Sequence, residues 1–597
     1  MIDPARLDAA EARVRDDLLA ERTPTGHCWI GQLSSSALST ATAISALVLV
    51  QRHAPPHDRF DGLIADGVRW LTAHQNADGG WGDTDRSYSN ISTTMLVRAA
   101  LHLAGRADEF SAEMAAGQRY IDSQGGVNGL RARYGRDRTF AVPILTNGAL
   151  AGLVPWSEVS PLPFELACLP QRFYRFVRLP VVSYAIPALV AIGQARFLHR
   201  PPVWPWMRWL RRAAIAPSLN VLRTMQPDSG GYLEAAPLTS FVVMSLAATG
   251  RAEHAVTQQG VKFLLDSVRP DGSWPIDTNL ATWATTLAIN ALAVGDQDVA
   301  ALGGLDWLLA CQHRQIHAFT GAAPGGWGWS DLSGAVPDAD DTPGALLALA
   351  AWRDAASCSA ADRTRIHEAA ATGIRWLLGL QNRDGGWPTF CRGWGKLPFD
   401  RSGADLTAHA LRAFRAWEQL ATSMRAERAI QAGFRYLARQ QRADGSWVPL
   451  WFGNQDNPQE ENPVYGTARV LLAYRDWQQR DAAPAQRGLA WLSQAQNADG
   501  GWGGDGRSSS VEETALAVET LSGVAPCGRG DQAASDGLRW LVEAVEANRH
   551  HDASPIGFYF AKLWYYEKLY PLLFTLAALS QARRAAGNGS PVSATGP

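Results

Sequence analysis

The sequence predicts an all-α protein built from paired helices, and three observations carry that prediction. A turn of the form Gln-Asn-x-Asp-Gly-Gly-Trp returns along the chain, apolar helical patterns flank each copy, and alternating strand patterns are scarce. The strong copies lie at 75–81, 381–387, 441–447 and 496–502. A weaker one is Arg269-Pro270-Asp271-Gly272-Ser273-Trp274, and 226–232 is a degenerate one ending in Tyr232. The last three strong copies recur every 55–60 residues, the length of a helix pair with its turns.

Each part of the repeat has a physical reading. Helices such as Gly67-Val68-Arg69-Trp70-Leu71, Gly373-Ile374-Arg375-Trp376-Leu377 and Gly433-Phe434-Arg435-Tyr436-Leu437 come before the turn. Asp-Gly supplies the positive-φ turn, Gln bonds exposed helix-end groups, and Trp stacks over the adjoining helix. A second apolar helix follows, as in Thr407-Ala408-His409-Ala410-Leu411-Arg412-Ala413-Phe414. Packing explains these tryptophans better than ligand binding does, although 24 Trp in 597 residues leaves some for other work. The copies cluster in 365–510 and thin out before residue 275, which implies two helical domains with a variable middle at about 155–225.

Composition narrows the function. A net charge of −2 lacks the basic excess of a nucleic-acid binder. Cys28, Cys168, Cys311, Cys358, Cys391 and Cys527 lie far apart with no CxxC pair, so neither a disulfide framework nor a zinc knuckle is expected. No P-loop or dinucleotide-binding glycine motif is seen, and the reading calls for no metal and no cofactor. The charged helical start reads as cytoplasmic, with no signal peptide, and 584–597 reads as a disordered tail.

The chemistry concentrates in Asp338-Ala339-Asp340-Asp341-Thr342. Three carboxylates within four residues repel one another, so one of them keeps its proton near neutrality. Such a donor in an aromatic cavity can attack a group as weakly basic as a carbon–carbon double bond. The competing reading is a polar N-cap, because Thr342-Pro343 opens an apolar helix. Asp405 and His409 stand one helical turn apart, a spacing at which a carboxylate orients an imidazole.

The turns resemble the QW motifs of the squalene–hopene and oxidosqualene cyclase family, and 338–342 resembles its DxDDT motif. Thr282-Trp283-Ala284-Thr285, Gly325-Gly326-Trp327-Gly328-Trp329, Asp405-Leu406-Thr407-Ala408-His409, Trp447-Val448-Pro449-Leu450-Trp451 and Val464-Tyr465-Gly466-Thr467 resemble further family segments in the family's order. The likeness spans roughly 25–580. It departs at Ala284, where the family has Asp, at Leu189, where hopene-forming members have Trp, and in the acidic 452–463 linker.

The resemblance implies two α/α-barrel domains of helical repeats, like those of terpenoid cyclases and prenyltransferases. Residues 1–20 would form a helix packing on the C-terminal barrel, 21–275 an inserted barrel with a membrane-associated segment at 173–212, and 276–583 the catalytic barrel. It implies metal-free, acid-initiated cyclisation of squalene or a related linear polyprenoid. Asp340 would be the proton donor, His409 a cationic partner of Asp338, and an ionised Asp341 would raise the cost of ionising Asp340. Trp283, Trp329, Trp451, Tyr465, Leu189 and Tyr566 would line the substrate cavity. The alternatives are a cyclase acting on a prenyl diphosphate or prenylated aromatic, and a zinc-dependent or non-catalytic barrel like the prenyltransferase β subunits. An isoprenoid substrate, a membrane lipid surface on the cytoplasmic side and a homodimer are the expected partners, with no nucleic acid. The apolar run 179–192, bordered by Arg and Trp, is the expected monotopic insertion point.

Overall fold

The repeats build two rings of helices in a computed structural model that describes residues 2–53, 59–135, 139–179, 182–318, 320–504, 509–524, 529–558 and 562–588. In the larger unit the inner helices are Ala281–Val294, Asp341–Asp354, Ala404–Ala416, Pro463–Asp476, Val511–Val524 and Tyr570–Asn588. Each packs on the next, and the last returns to the first. Outer helices cover them, among them Ala360–Leu380, Met424–Gln440, Ala483–Gln494 and Arg529–Glu546. The N-terminal helix Pro4–Ala20 joins this outer layer by packing against Tyr570–Asn588. The second unit closes Ala37–His53, Ile91–Leu103, Ala141–Leu150, Val182–His199 and Ala236–Ala247 into a smaller ring with its own outer helices. The architecture is therefore a pair of α/α barrels.

The turn chemistry explains how each outer helix joins its inner one. An α-helix ends with four carbonyls that lack partners. At the end of Met424–Gln440 the buried indole of Trp447 donates from Nε1 to Leu437 O at 2.8 Å. The same bond runs from Trp81 to Leu71 O, Trp274 to Leu264 O, Trp387 to Leu377 O and Trp502 to Leu492 O. Gln441 Nε2 donates to Gly445 O, across its own turn, and to Pro484 O at the start of the next outer helix, both at 2.8 Å. Gln75, Gln381 and Gln496 repeat that double bond. A threonine on the inner helix completes the bracket. Thr467 Oγ1 accepts from Trp447 N at 2.9 Å, as Thr407 does from Trp387 N and Thr514 from Trp502 N.

The expected ring stacking is also present, and it sets a size limit on the neighbour. A Cβ at Gly488, on the following outer helix, would stand 2.6 Å from Trp447 Cζ3, so only glycine fits beneath the ring. Two further brackets escape the simple repeat pattern. Trp327 Nε1 donates to Leu308 O with Gln312 bonding Gly325 O, and Trp29 Nε1 donates to Leu18 O. Among the described residues, strand structure comprises short pairs at turns, such as Trp387–Pro388 against Ser402–Gly403, and one three-stranded sheet of Gly453–Asn454, Ile556–Phe558 and Leu563–Tyr565.

Two expectations change. Helix Tyr570–Asn588 continues through 584–588, which corrects the expectation of disorder for those five residues, and 589–597 lie outside the described residues. Cys527 and Pro180–Val181 also lie outside them. Within 179–192, Tyr184, Ile186, Val190, Ala191 and Ile192 are buried in the ring, so this run is a core helix and not an insertion point. An apolar run of that length reads alike in either setting. The exposed apolar side chains flank it: Phe173 and Phe176 before, and Leu198, Val203, Trp204, Trp206 and Trp209 after, with Phe176 86% and Trp209 73% exposed. No helix of the described residues is long and apolar enough to cross a membrane.

The bracket predicts an order of stabilities. Trp447→Ala empties a packed site and should cost about 3–5 kcal/mol. Gln441→Ala leaves two carbonyls with one partner fewer and should cost about 1–2 kcal/mol. Urea unfolding followed by circular dichroism checks both, and a Trp447→Ala protein as stable as Gln441→Ala would remove the indole from its central place.

Candidate active site

The bracket threonines also determine which side chains face the barrel interior. Thr342, Thr407 and Thr467 point outward to their tryptophans, and Thr285 Oγ1 points outward to Trp29 N. Residues two positions away lie about 200° round a helix at 3.6 residues per turn, and so face inward. Two before each threonine stand Trp283, Asp340, Asp405 and Tyr465; two after Thr407 and Thr467 stand His409 and Arg469. These six side chains, joined by Arg412, line one cavity.

Asp338 is absent from that cavity. Its Oδ1 accepts from the backbone N of Asp340 at 2.8 Å and of Asp341 at 2.7 Å, so it caps the helix Asp341–Asp354. Its own backbone N–H donates to Trp327 O, and Ala339 N–H to Thr389 O. The N-cap reading is thus right for Asp338, and the cap frees the Asp340 side chain to face the cavity. His409 Nδ1 stands 3.9 Å from Asp340 Oδ1, too far for a direct hydrogen bond but the nearest carboxylate contact the imidazole makes. The expected partner of His409 was Asp338; the fold gives it Asp340, because the cap turns Asp338 away.

Burial controls the charges. It pushes Asp340 up to about 7, and the Arg469 guanidinium pulls back against it. Asp405 rises to about 7 through burial and then through the Asp340 charge, although Leu450 N–H donates to its Oδ1 at 3.1 Å. Asp341 is pushed well up by burial and by the Asp338 and Asp340 carboxylates, a direction opposite to the expectation of an ionised Asp341. His409 is pushed well down by burial, Arg412 and Arg469. It is neutral near pH 7, not the expected cation.

Carboxyls raised in this way bind protons more tightly folded than unfolded. Their contribution to stability is therefore largest at low pH and declines as pH rises from about 4, the unfolded value, through about 7. Arg412 is neutralised by Asp476 at 2.7 Å. Arg469 has no such partner among the described residues. Its guanidinium lies over the rings of Tyr465 at 5.0 Å and Phe574 at 5.2 Å, and its buried Nη2 makes no hydrogen bond.

Comparison with known proteins places this arrangement. The family model for the squalene–hopene cyclase C-terminal domain matches residues 280–584, more than half of the chain, and that for the N-terminal domain matches 12–193. The chain belongs to the squalene–hopene cyclase family. It is 26% identical to a probable squalene–hopene cyclase of Sinorhizobium fredii, over 96% of each chain. It is 28% identical to the squalene–hopene cyclase of Alicyclobacillus acidocaldarius, over 78% of each. It is 26% identical to enfumafungin synthase of Hormonema carpetanum over 92% of its own length, but spans only 46% of that protein. Among solved structures, an ent-copalyl diphosphate synthase from Streptomyces platensis shares the fold, with a TM-score of 0.56, 19% identity, and 98% of this chain and 100% of that one covered. Family membership sets aside the prenyltransferase-β reading.

The remaining expected wall residues divide. Trp283 and Tyr465 line the cavity, with Trp283 Nε1 donating to Tyr570 Oη at 3.1 Å. Trp451 donates from Nε1 to Thr389 Oγ1 at 2.5 Å, beside the acid motif, and packs near Phe390 and Phe399. Trp329 and Leu189 belong to a neighbouring apolar cluster with Tyr184 and Phe390. Tyr566 is a correction: its hydroxyl donates to Asp85 Oδ1 at 2.6 Å and its ring lies under Arg86, at the seam between the two units. Strand alternation in Leu563–Tyr565 turns Tyr565 the other way, where its hydroxyl meets that of Tyr570 at 3.0 Å. The 452–463 linker is likewise a seam, with Tyr88 Oη donating to Asp456 Oδ1 at 2.6 Å, and Ala284 is packed in the core. Sequence reading missed Arg469, although its i,i+4 spacing from Tyr465 matches that of His409 from Asp405.

The charge geometry predicts a pH effect. A carboxyl that gives up a proton must first hold one, so with Asp340 as the donor the rate should fall as pH rises through about 7. Arg469→Met removes the cation that pulls this value down. The alkaline limb of the pH–rate profile should then move to higher pH while the plateau falls, because the carboxylate left behind loses its counter-charge. An unmoved limb would show that Arg469 does not act on Asp340.

Proposed function

We propose that the protein is a triterpene cyclase that protonates a linear polyprenoid hydrocarbon, such as squalene, from Asp340. The observation that carries this reading is the division of labour in the acid motif: Asp338 is committed to the helix start, and Asp340 faces Trp283, His409 and Tyr465. The Asp340 proton adds to one carbon of the terminal double bond, whose π electrons form the new C–H bond and leave a tertiary cation on the other. Successive double bonds then attack the cation in turn and close rings. Loss of a proton or capture of water ends the cascade, and Asp340 is reprotonated from solvent.

Arg469 aids the first step by offsetting the carboxylate that forms on Asp340. The aromatic faces of Trp283 and Tyr465 stabilise the moving cation without bonding to it, by about 0.5–2 kcal/mol each. We assign the chemistry to the 276–583 unit. The departure at Leu189, in the apolar cluster with Trp329 and Phe390, bears on product shape more than on acid strength.

Asp340→Asn keeps the shape but has no proton to give. Incubated with squalene in detergent and extracted for gas chromatography–mass spectrometry, it should show essentially no cyclised product. Turnover within about tenfold of wild type, a barrier difference of only about 1.4 kcal/mol, would refute the assignment.

We also propose that the protein takes its substrate from a membrane surface through the exposed residues of 173–212. Support comes from Phe173, Phe176, Trp204, Trp206 and Trp209, all exposed and interleaved with Arg172, Arg175, Arg208 and Arg212. Aromatic side chains beside cations suit the interface of an anionic leaflet. Trp206→Asp with Trp209→Asp should abolish flotation with anionic vesicles while leaving helix content intact. Unchanged flotation would move the membrane face elsewhere.

A further inference from the structure

A cleft of about 1500 Å³ opens between the short helix Gln171–Phe176, the loop beyond Ala310, the end of Ala360–Leu380 and the turn after Phe390. Small-molecule sites usually measure about 300–1,000 Å³, so it has room for more than a small ion. Six arginines line it: Arg175, Arg178, Arg314, Arg375, Arg383 and Arg392. Its one carboxylate, Asp384, is already engaged, since Oδ1 accepts from Gly386 N at 3.0 Å and Ser402 Oγ at 2.9 Å. Among the described residues no ion pair joins any of the six to an acid, in contrast to Arg211 with Glu165 or Arg412 with Asp476 nearby in the chain. Like charges gathered around a cleft repel one another and focus a positive potential into it. The guanidinium fork fits phosphate oxygens two at a time.

The inner end of the cleft is apolar, formed by Trp376, Leu380, Phe390 and Cys391. Phe390 lies 4.9 Å from the ring of Tyr184 and 6.1 Å from that of Trp329. The preceding residue, Thr389, accepts from Ala339 N of the acid motif through its carbonyl and from the Trp451 indole through Oγ1. The segment 389–391 thus connects the lining of the arginine cleft, at Phe390 and Cys391, to the backbone of the acid motif, at Thr389. A cationic mouth and an aromatic inner wall together fit a molecule with an anionic head and a hydrocarbon tail.

We propose that this cleft is an anion site for the phosphate or diphosphate head of an amphiphile whose tail lies toward the acid motif. It rests on the cyclase reading only for the direction of the tail. Two sources supply such a head: a soluble prenyl diphosphate, or a phospholipid of a bilayer lying against Phe173 and Phe176.

Titration calorimetry of the full chain with inorganic diphosphate tests the head by itself. Saturable binding is expected, weaker as salt is added. It should be at least tenfold weaker, about 1.4 kcal/mol, in the triple variant Arg314→Gln, Arg375→Gln, Arg392→Gln. All three side chains are exposed, so the variant should fold and melt as wild type does, checked by circular dichroism. No saturable binding to wild type, or an affinity unaltered in the triple variant, overturns the site. Competition by geranylgeranyl diphosphate but not by phosphatidylglycerol vesicles assigns the head to a soluble prenyl diphosphate, and the reverse assigns it to the bilayer. Competition by neither overturns the amphiphile. Cyclisation is scored separately: diphosphate binding in a protein that cyclises nothing removes the cyclase reading alone, and cyclisation without diphosphate binding removes the cleft alone.

Discussion

The indole N–H of a buried tryptophan, donated to the last turn of an outer helix, is the interaction on which both barrels depend. Helix ends are costly to bury because their carbonyls lack partners. A ring of short paired helices multiplies such ends. The Trp–Leu carbonyl bond, repeated at Trp81, Trp274, Trp387, Trp447 and Trp502, satisfies one carbonyl at each junction and fills the space behind it with a large apolar ring. The glutamine ties each turn to the next outer helix, so the brackets also hold the order of helices around the ring. Where Tyr232 replaces Trp, its hydroxyl keeps the bond to Leu222 O at 3.0 Å. The requirement is for a donor on an aromatic plate, not for tryptophan as such.

The acid site is a by-product of the same bracket. Once a threonine near the start of each inner helix must face its tryptophan, the positions two before and two after face the barrel axis. Chemistry can then be changed at those positions without touching the scaffold. Asp340, Asp405, Tyr465 and Trp283 occupy equivalent places on four inner helices, and His409 and Arg469 stand one turn further on. Trp327 shows the coupling most directly. Its N–H donates to Thr342 Oγ1, and its carbonyl accepts from Asp338 N–H, so one bracket residue holds both sides of the acid motif.

The parts of the fold legible in the sequence are those in which one residue type has one physical use. Gly385 at φ +92° makes the turn, and Gln381 and Trp387 seal the helix junctions around it. Asp338–Thr342 is legible as three carboxylates that cannot all ionise together, and equally as a polar helix start. The division of roles within it is not, because Asp338 becomes a cap only when the backbone closes on it. Arg469 resembles any solvated arginine on an amphipathic helix until the ring turns that face inward. Tyr565 ends the strand Leu563–Tyr565 and Tyr566 follows it, their hydroxyls going to Tyr570 and Asp85, and a strand only three residues long is too short for its alternation to be read. The 179–192 run and the exposed aromatics beside it reverse their expected places, since hydrophobicity alone does not say whether protein or lipid is the partner.

The charges in the cavity fit the proposed reading, in which a buried carboxylic acid is kept dry and protonated beside a hydrocarbon chain. Burial together with Arg412 and Arg469 pushes His409 well down, which makes its free ring nitrogen a weak acceptor for the Asp340 proton. Burial alone would make Asp340 a poor acid, because its carboxylate has no water to stabilise it. Arg469 offsets that cost from within the cavity, held by the Tyr465 and Phe574 rings with no carboxylate ion pair among the described residues. A permanent cation beside a developing carbocation would ordinarily be repulsive. Here the two charges do not face each other unscreened, because the Asp340 carboxylate appears in the same event that creates the carbocation. On the proposed mechanism the arginine is therefore tolerable because the anion and the carbocation form together, which is the charge pattern of proton transfer to an alkene.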